Sequence, residues 1–277
     1  MTVISTVLTR YCAAHASDSL ITELHKDGSY KPKEWERSKI VAVRHWRGAM
    51  AYWGLAKYDA YSWSTFDWLQ EQAKNADQYS SAEEFAQGLT EKLNEAISKM
   101  HFVKPVDSGI GIHLTVYEYI ENYWIPELFL LSNFTDTSYR FVHPDGVHLS
   151  RETYHTIAKV PPRPEHREAQ YRLKVHERLH QPGGMLIYNN GDPIMFNAAA
   201  YAILGMFRAL ARRGKLARPE RVETYLAIAR RPIEVVSKAQ LDFCQKGTRV
   251  IGGRPHDLAV TPGGVYSSTT GDMPRAT

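Results

Sequence analysis

The residue with the most specific chemical potential in this 277-residue chain is Thr2. Its small side chain permits removal of Met1, which leaves a hydroxyl and a free α-amine on the same residue. A hydroxyl attacks a carbonyl at neutral pH only when a base accepts its proton, and an α-amine with a reference pKa of about 7.7–8.0 can be that base. A neighbouring cation lowers the pKa of such an amine. We therefore expect a buried lysine with a carboxylate partner beside it.

The spacing of residues 2–54 resembles the first four strands of a proteasome-type β subunit, a threonine-dependent N-terminal-nucleophile (Ntn) hydrolase. In that family an aspartate follows the nucleophilic threonine by sixteen residues, and Asp18 in AHASD stands sixteen residues after Thr2. The family's lysine begins the third strand, as Lys39 does in SKIVAV, although five additional residues separate it from Asp18. The later segments IPELFLL, NNGDP and VIGGRPHDLAV also look similar to the family.

This resemblance implies a role for each residue of the set. Thr2 attacks a peptide or amide carbonyl with its own amine as the base, Lys39 tunes that amine, and Asp18 holds Lys39. The main-chain amide of Gly54, at the end of the fourth strand, receives the oxyanion. The family's chemistry uses no cofactor and no metal, so neither is expected here.

Two positions depart from the family pattern. The sequence NNGD stands where the family has a Gly-Ser-Gly turn, so Asn190 or Asp192 would replace that turn. The family's second Asp and Ser pair, just before the Gly-Gly of a late strand, is Thr248 and Ile251 in this chain. The alternative is therefore a catalytically silent assembly protein with the same fold.

The order of elements predicts an α+β fold, a four-layer αββα sandwich of two antiparallel sheets flanked by helices, as in Ntn hydrolases. A single domain is expected over 1–266, with a helical insertion at about 150–182 and a disordered tail at 267–277. The helix predicted over 194–213 is apolar nearly all round in its first half, which indicates burial. The predicted strands lie within 2–17 (two strands), 39–43, 49–53, 110–120, 125–132, 139–149, 249–251 and 257–261, and the predicted helices span 58–76, 81–100, 165–180, 194–213, 219–230 and 232–245.

Composition is that of an ordinary globular protein. Apolar residues make up 43% and charged residues 23%, mean hydropathy is −0.40, and the net charge is only +4. No apolar run is long enough for a membrane span, and the first ten residues do not resemble a signal peptide. Cys12 and Cys244 form no CxxC pair, which excludes a disulfide framework or a zinc ribbon and favours a reducing cytoplasm.

The sequence gives little support to three other chemistries. The sequence His176-Glu177-Arg178-Leu179-His180 matches the HExxH pattern of zinc metalloproteases, but Leu186 stands where the extended pattern has its third histidine. Residues 208–231 contain eight basic and two acidic side chains but lack an interleaved aromatic stacking surface, which argues against nucleic acid as a partner. No glycine-rich phosphate loop follows a strand.

The segment 51–68 carries seven aromatic side chains, more than one helix face needs. Surplus aromatic surface indicates a protein contact, whereas a thick core beneath the helix is the alternative. The proteasome-type resemblance implies a ring-like homo-oligomer that acts on peptides or unfolded chains, and it is compatible with an ATPase partner.

Overall fold

The structure, a computed structural model, describes residues 3–24, 30–34, 37–120, 122–135, 139, 141–153, 168–181, 184–191, 193–215, 221–244 and 251–266. Thr2, Asp192 and Thr248 lie outside the described residues. The same holds for the predicted tail at 267–277 and for 154–167 of the predicted insertion. The division into one domain with an insertion remains a prediction.

Two five-stranded antiparallel sheets form the centre of the fold. The first contains β1 (Ile4–Leu8), β2 (Ala13–Ser17), β12 (Leu186–Asn190), β13 (His256–Thr261) and β14 (Gly264–Tyr266), in the order β12-β1-β2-β13-β14. The second contains β5 (Ile40–Val43), β6 (Gly48–Gly54), β9 (Ile110–Ile120), β10 (Tyr123–Ser132) and β11 (His148–Arg151), in the order β11-β10-β9-β6-β5. The α+β class with antiparallel sheets is thus as predicted.

Two short ladders lie outside these sheets. They are formed by β3 (Ile21–Leu24) with β4 (Tyr30–Glu34) and by β7 (Lys57–Tyr58) with β8 (Trp63–Ser64). The prediction of four strands before the first helix was therefore incomplete. The β4 sequence YKPKE is polar and contains Pro32, so it lacks the β-branched alternation from which strands are predicted.

The described residues contain five α-helices: α1 (Thr65–Lys74), α2 (Ala82–Ser98), α3 (Glu168–His180), α4 (Pro193–Arg212) and α5 (Val222–Phe243). Helix α1 begins later than predicted because the Ser64 hydroxyl caps it, accepting the amide of Asp67. Helix α5 is continuous through the buried Pro232, where two helices were predicted. Among the residues that the structure describes, no helix is long and apolar enough to cross a bilayer.

Three hydrophobic clusters define the packing. Helix α5 covers one face of the first sheet, and Leu226 and Ile233 belong to the same buried cluster as Val7. The two sheets face each other through a cluster that includes Leu8 and Trp53. Helices α1 and α2 cover the other face of the second sheet, and their large buried apolar side chains are Leu69, Phe85, Leu89 and Leu93. Both faces of both central sheets are therefore buried, which is compatible with a sandwich.

The strand pattern follows from this double burial. Successive side chains of β6 alternate between the cluster under the helices, to which Met50 and Tyr52 belong, and the cluster between the sheets, to which Ala51 and Trp53 belong. The predicted strand at 139–149 is largely wrong. Its middle forms a turn in which the Gly146 amide donates to the His143 carbonyl, and β11 begins only at His148.

The exposed apolar surface is not where the sequence indicated. Of the seven aromatic side chains at 51–68 only Tyr61 is exposed, at 47%, and most of the others pack against the core beneath α1 and α2. The thick-core alternative is therefore correct for most of this segment. Helix α4, predicted to be buried, exposes Tyr201 at 68% and Met206 at 55%, because only α5 and β12 pack closely against it among the described elements.

Candidate active site

The residues that flank Thr2 in the predicted site meet at one end of the first sheet. Ile4 of β1 is paired with Ser17 of β2, so Val3 and Asp18 are the next residues beyond that pair. The Val3 amide donates to Oδ1 of Asp18 at 3.0 Å, and the Asp18 amide donates to the Val3 carbonyl at 3.2 Å. Asp18 is therefore fixed against the residue that directly follows Thr2.

Lys39 and Asp18 form a fully buried ion pair. Nζ of Lys39 donates to Oδ1 of Asp18 at 2.9 Å and to the Leu20 carbonyl at 2.8 Å, and both charged side chains are 0% exposed. Burial lowers the pKa of Lys39, although the attraction and hydrogen bond of Asp18 act in the opposite direction. The predicted lysine and carboxylate are thus brought together, from positions twenty-one residues apart.

Within the part of the chain that the structure describes, the pair retains unused hydrogen-bonding capacity. An ammonium has three donors, and two donate to Asp18 and Leu20. Oδ2 of Asp18 is buried and has no hydrogen-bond partner among the described residues. Because unpaired buried polar atoms are costly, such capacity beside Val3 indicates a place for a further polar group.

Gly54 ends β6 near the same end of the second sheet. The Tyr52 amide donates to the Lys39 carbonyl at 3.1 Å, and Gly54 follows two residues later. Its φ of +86° is in the left-handed region, and a Cβ there would lie 2.2 Å from the Gly109 carbonyl oxygen. This position therefore needs glycine, which is also the residue type expected at the oxyanion amide.

The late glycine pair also reaches this end of the fold. The amides of Ser19 and Leu20 both donate to the Gly252 carbonyl, at 3.2 and 3.0 Å. Ile251, which stands where the resembled family has a serine, is fully buried, and its amide donates to Oε1 of Gln240. An aliphatic side chain supplies no hydroxyl, so this position cannot orient a nucleophile as serine would.

A chain of buried polar side chains links the two sheets, and sequence reasoning missed it. Oγ1 of Thr6 lies 3.0 Å from Nδ1 of His15 and 2.8 Å from Nδ1 of His113. Nε2 of His113 lies 2.6 Å from Oδ1 of Asn190, whose Nδ2 donates to the Tyr139 hydroxyl at 2.9 Å. Asn190 is thus engaged between the sheets rather than free to replace the family's Gly-Ser-Gly turn.

Both histidines are neutral in the folded protein. Burial lowers the pKa of His15 to about 3, with a smaller contribution from His113. Burial likewise lowers the pKa of His113 to about 4, although its hydrogen bond to Asn190 acts in the opposite direction. Each histidine stands between two buried apolar residues on a central strand. A single polar residue in such an apolar run is the sequence signal that could have revealed them.

The free energy of unfolding is expected to fall as the pH is lowered from about 6.5 to about 4. In this range each histidine is protonated when unfolded and neutral when folded, so each removes up to about 1.4 kcal/mol per pH unit. Urea unfolding at a series of pH values measures the slope. The His15→Gln variant should give a shallower slope than the wild type, and His101→Gln, at an exposed position, should not. An unchanged slope in His15→Gln would contradict the assignment.

The HExxH residues form no metal site in the described part of the chain. His176 and His180 lie one turn apart on α3, with ring centroids 3.9 Å apart. Nδ1 of His180 donates a hydrogen bond to the His176 carbonyl oxygen at 2.7 Å, and Glu177 is exposed. No third metal-ligating side chain accompanies these histidines among the described residues, since the one ligand cluster found there lies elsewhere.

Part of the basic segment at 208–231 is neutralised by nearby acids. Arg230 pairs with Glu234 and with the buried Asp257, both at 3.0 Å, and Arg231 also pairs with Glu234. These contacts are typical of a charged helix surface.

Comparison with known proteins adds no family. No protein-family model matches the chain, and no curated protein sequence is significantly similar to it.

Proposed function

We propose that this protein is a threonine-dependent Ntn hydrolase that cleaves peptide or amide bonds. The observation that carries the proposal is the buried Asp18–Lys39 pair, fixed by main-chain and side-chain hydrogen bonds against Val3. Burying two charges is expensive even when they are paired, so an ion pair with no exposure is poorly explained by stability alone. A catalytic role for Thr2, the residue directly before Val3, accounts for the presence of this pair.

The electrostatics suit the predicted nucleophile. A mature Thr2 presents an α-amine and a hydroxyl directly before Val3, and the unused donor of Lys39 and acceptor of Asp18 can bind them. A positive charge beside the amine lowers the amine's pKa and leaves more of it as the neutral base. The lowered pKa of Lys39 reflects its desolvated surroundings, in which this influence is strong.

The proposed reaction has two steps. Oγ1 of Thr2 bonds to the carbonyl carbon while its proton passes through water to the α-amine, and the Gly54 amide stabilises the oxyanion. The C–N bond then breaks, the leaving amine takes the proton, and an ester remains on Thr2. Water, deprotonated by the same α-amine, attacks that ester, which releases the acid and restores the hydroxyl.

The packing supports the finer fold assignment. Helix α5, the first sheet, the second sheet and the helices α1 and α2 follow one another through three separate clusters. This order supports an αββα sandwich of the Ntn-hydrolase kind as part of the proposal. The proposed nucleophile precedes β1 of the first sheet, while Lys39 directly precedes β5 and Gly54 ends β6 of the second, so the proposed site draws on both sheets.

Hydrolysis of short fluorogenic peptides with and without EDTA tests the reaction class. We expect turnover that chelation leaves unchanged, and the His176→Ala variant should be as active as the wild type. Activity that is lost with chelator and with His176→Ala would instead assign the reaction to the HExxH helix.

One observation favours the silent assembly protein as a second candidate. Ile251 occupies the position of a family serine and is fully buried, so part of the auxiliary site is absent. Covalent labelling distinguishes the two candidates, because a silent scaffold retains the Asp18–Lys39 pair without reacting with threonine-directed electrophiles.

Self-association through α4 is the expected state of either candidate. Tyr201 and Met206 present apolar surface to solvent, and burying such side chains contributes about 1.5–3 kcal/mol each. Light scattering at micromolar concentration should give a homo-oligomer, and Tyr201→Lys should shift it toward the monomer. Tyr61→Lys, in the aromatic segment, is the matched control. A strictly monomeric wild type would contradict this expectation.

A further inference from the structure

A group of three metal-ligating side chains lies on the loop between β10 and β11. His143, Asp145 and His148 place one ligand atom each within 4.8 Å of the other two, the only such group among the described residues. All three are at least partly exposed and lie outside the candidate active site. They lie in the segment HPDGVH, which is separate from the HExxH helix.

The turn that carries these residues is fixed by its own sequence. The Gly146 amide donates to the His143 carbonyl at 3.3 Å, which closes a turn with proline in the favoured second position. Gly146 has a φ of +102°, and a Cβ there would lie 2.3 Å from Oδ1 of Asn94. This conformation brings His143 and Asp145 to the same side as the start of β11.

Two asparagines anchor the loop to the rest of the fold. The side chain of Asn94 on α2 bonds to both main-chain groups of Val147, at 2.6 and 3.0 Å. The His143 amide donates to the Asn133 carbonyl at 2.7 Å. The positions of the ligating residues are therefore set before any ion binds, which reduces the entropy lost on binding.

The three ligand atoms lie at, or somewhat beyond, the separations found around a small tetrahedral ion, all within 4.8 Å of one another. Oδ1 of Asp145 lies 3.2 Å from Nε2 of His148 and 3.9 Å from Nδ1 of His143. The centroids of the two imidazole rings are 4.6 Å apart. Ligand atoms about 2.0–2.1 Å from a tetrahedral Zn²⁺ are about 3.3 Å from one another. The hydrogen bond from His148 holds the pKa of Asp145 below its ordinary value.

We propose that His143, Asp145 and His148 bind a divalent transition-metal ion, of which Zn²⁺ is the best match. Two imidazoles and one carboxylate are the ligand types that Zn²⁺ accepts, and three protein ligands leave a fourth position for water. The ion fastens the loop that also supplies Tyr139 to the buried polar chain. It takes no part in the proposed hydrolysis.

Calorimetric titration of ZnCl₂ into the full chain, prepared without a polyhistidine tag, tests the site. We expect one Zn²⁺ per chain at pH 7.5 and weaker binding at pH 5.5, because protons compete with the metal ion for its ligands. His148→Ala and Asp145→Asn should each weaken binding by at least about 100-fold, since even outer-shell changes at metal sites cost about 10–100-fold. Both residues are exposed, so these variants are expected to fold.

The matched control is His176→Ala, which removes a histidine of the HExxH helix and should leave Zn²⁺ affinity unchanged. Three outcomes would overturn the proposal. They are the absence of stoichiometric binding, equal Zn²⁺ affinity in the wild type and His148→Ala, and weaker Zn²⁺ binding in His176→Ala. The readout is binding, so it is independent of whether the chain hydrolyses peptides.

Discussion

Replacing Lys39 with alanine is expected to lower peptide turnover by about 10²–10⁴-fold and the free energy of unfolding by about 3–5 kcal/mol. The activity falls because the Thr2 amine loses the cation that tunes its pKa. The stability falls because the Asp18 carboxylate, which is fully buried, is left without its counter-ion. Peptide hydrolysis and urea unfolding at pH 7.5 measure the two effects separately.

Two controls separate the effect of the buried charges on the free energy of unfolding from their effect on turnover. Lys99→Ala breaks an exposed pair with Glu95 and should change the unfolding free energy by less than about 0.5 kcal/mol. A double variant, Asp18→Leu with Lys39→Met, removes both buried charges and should recover much of the stability. Its turnover should remain low. Wild-type turnover in the double variant would show that the pair is purely structural.

Replacing Thr2 with alanine is expected to abolish turnover, by on the order of 10⁵–10⁶-fold, since no other group on the chain is proposed to attack the carbonyl. Thr2→Ser keeps a hydroxyl and an α-amine and should retain measurable activity. Both variants should unfold at the wild-type urea concentration. Turnover of a fluorogenic peptide by the three proteins at equal concentration makes the comparison.

The matched control for Thr2→Ala is Thr135→Ala, which removes a hydroxyl from an exposed loop position and should leave turnover unchanged. Full activity in Thr2→Ala would exclude the N-terminal threonine as the nucleophile. The His176→Ala variant would then show whether the HExxH helix is responsible.

The local structure around Asp18 and Lys39 was predictable where pattern and spacing carried the information. The hairpin of β1 and β2 and that of β5 and β6 follow from β-branched residues on either side of short polar turns. Once these hairpins form, the end of β2 and the start of β5 are determined. Asp18 directly follows β2, and Lys39 directly precedes β5. Their contact at 2.9 Å was expected from the family resemblance and not from the hairpins alone.

Other features depend on packing between distant segments, which a single sequence does not display. His15 and His113 are hydrogen-bonded through Thr6 across two sheets, a relation set by how the sheets stack. Pro232 normally ends a helix, yet the burial of α5 against the first sheet keeps that helix continuous. Tertiary contacts override local preference at such positions.

Burial was predicted least well. The apolar character of α4 indicated a core helix, whereas Tyr201 is largely exposed, because apolar composition cannot distinguish a core contact from a contact with another chain. The aromatic side chains at 51–68 were expected to leave apolar surface exposed. Most are buried or partly buried instead, because the cluster beneath two helices accommodates more rings than one helix face.

Intact-mass spectrometry of the native protein, before and after reaction with a threonine-directed electrophile, tests the central claim most directly. The account predicts a mass without Met1 and a single adduct on Thr2 that is absent from Thr2→Ala. Retention of Met1, or the lack of any adduct on a chain that begins at Thr2, would contradict it.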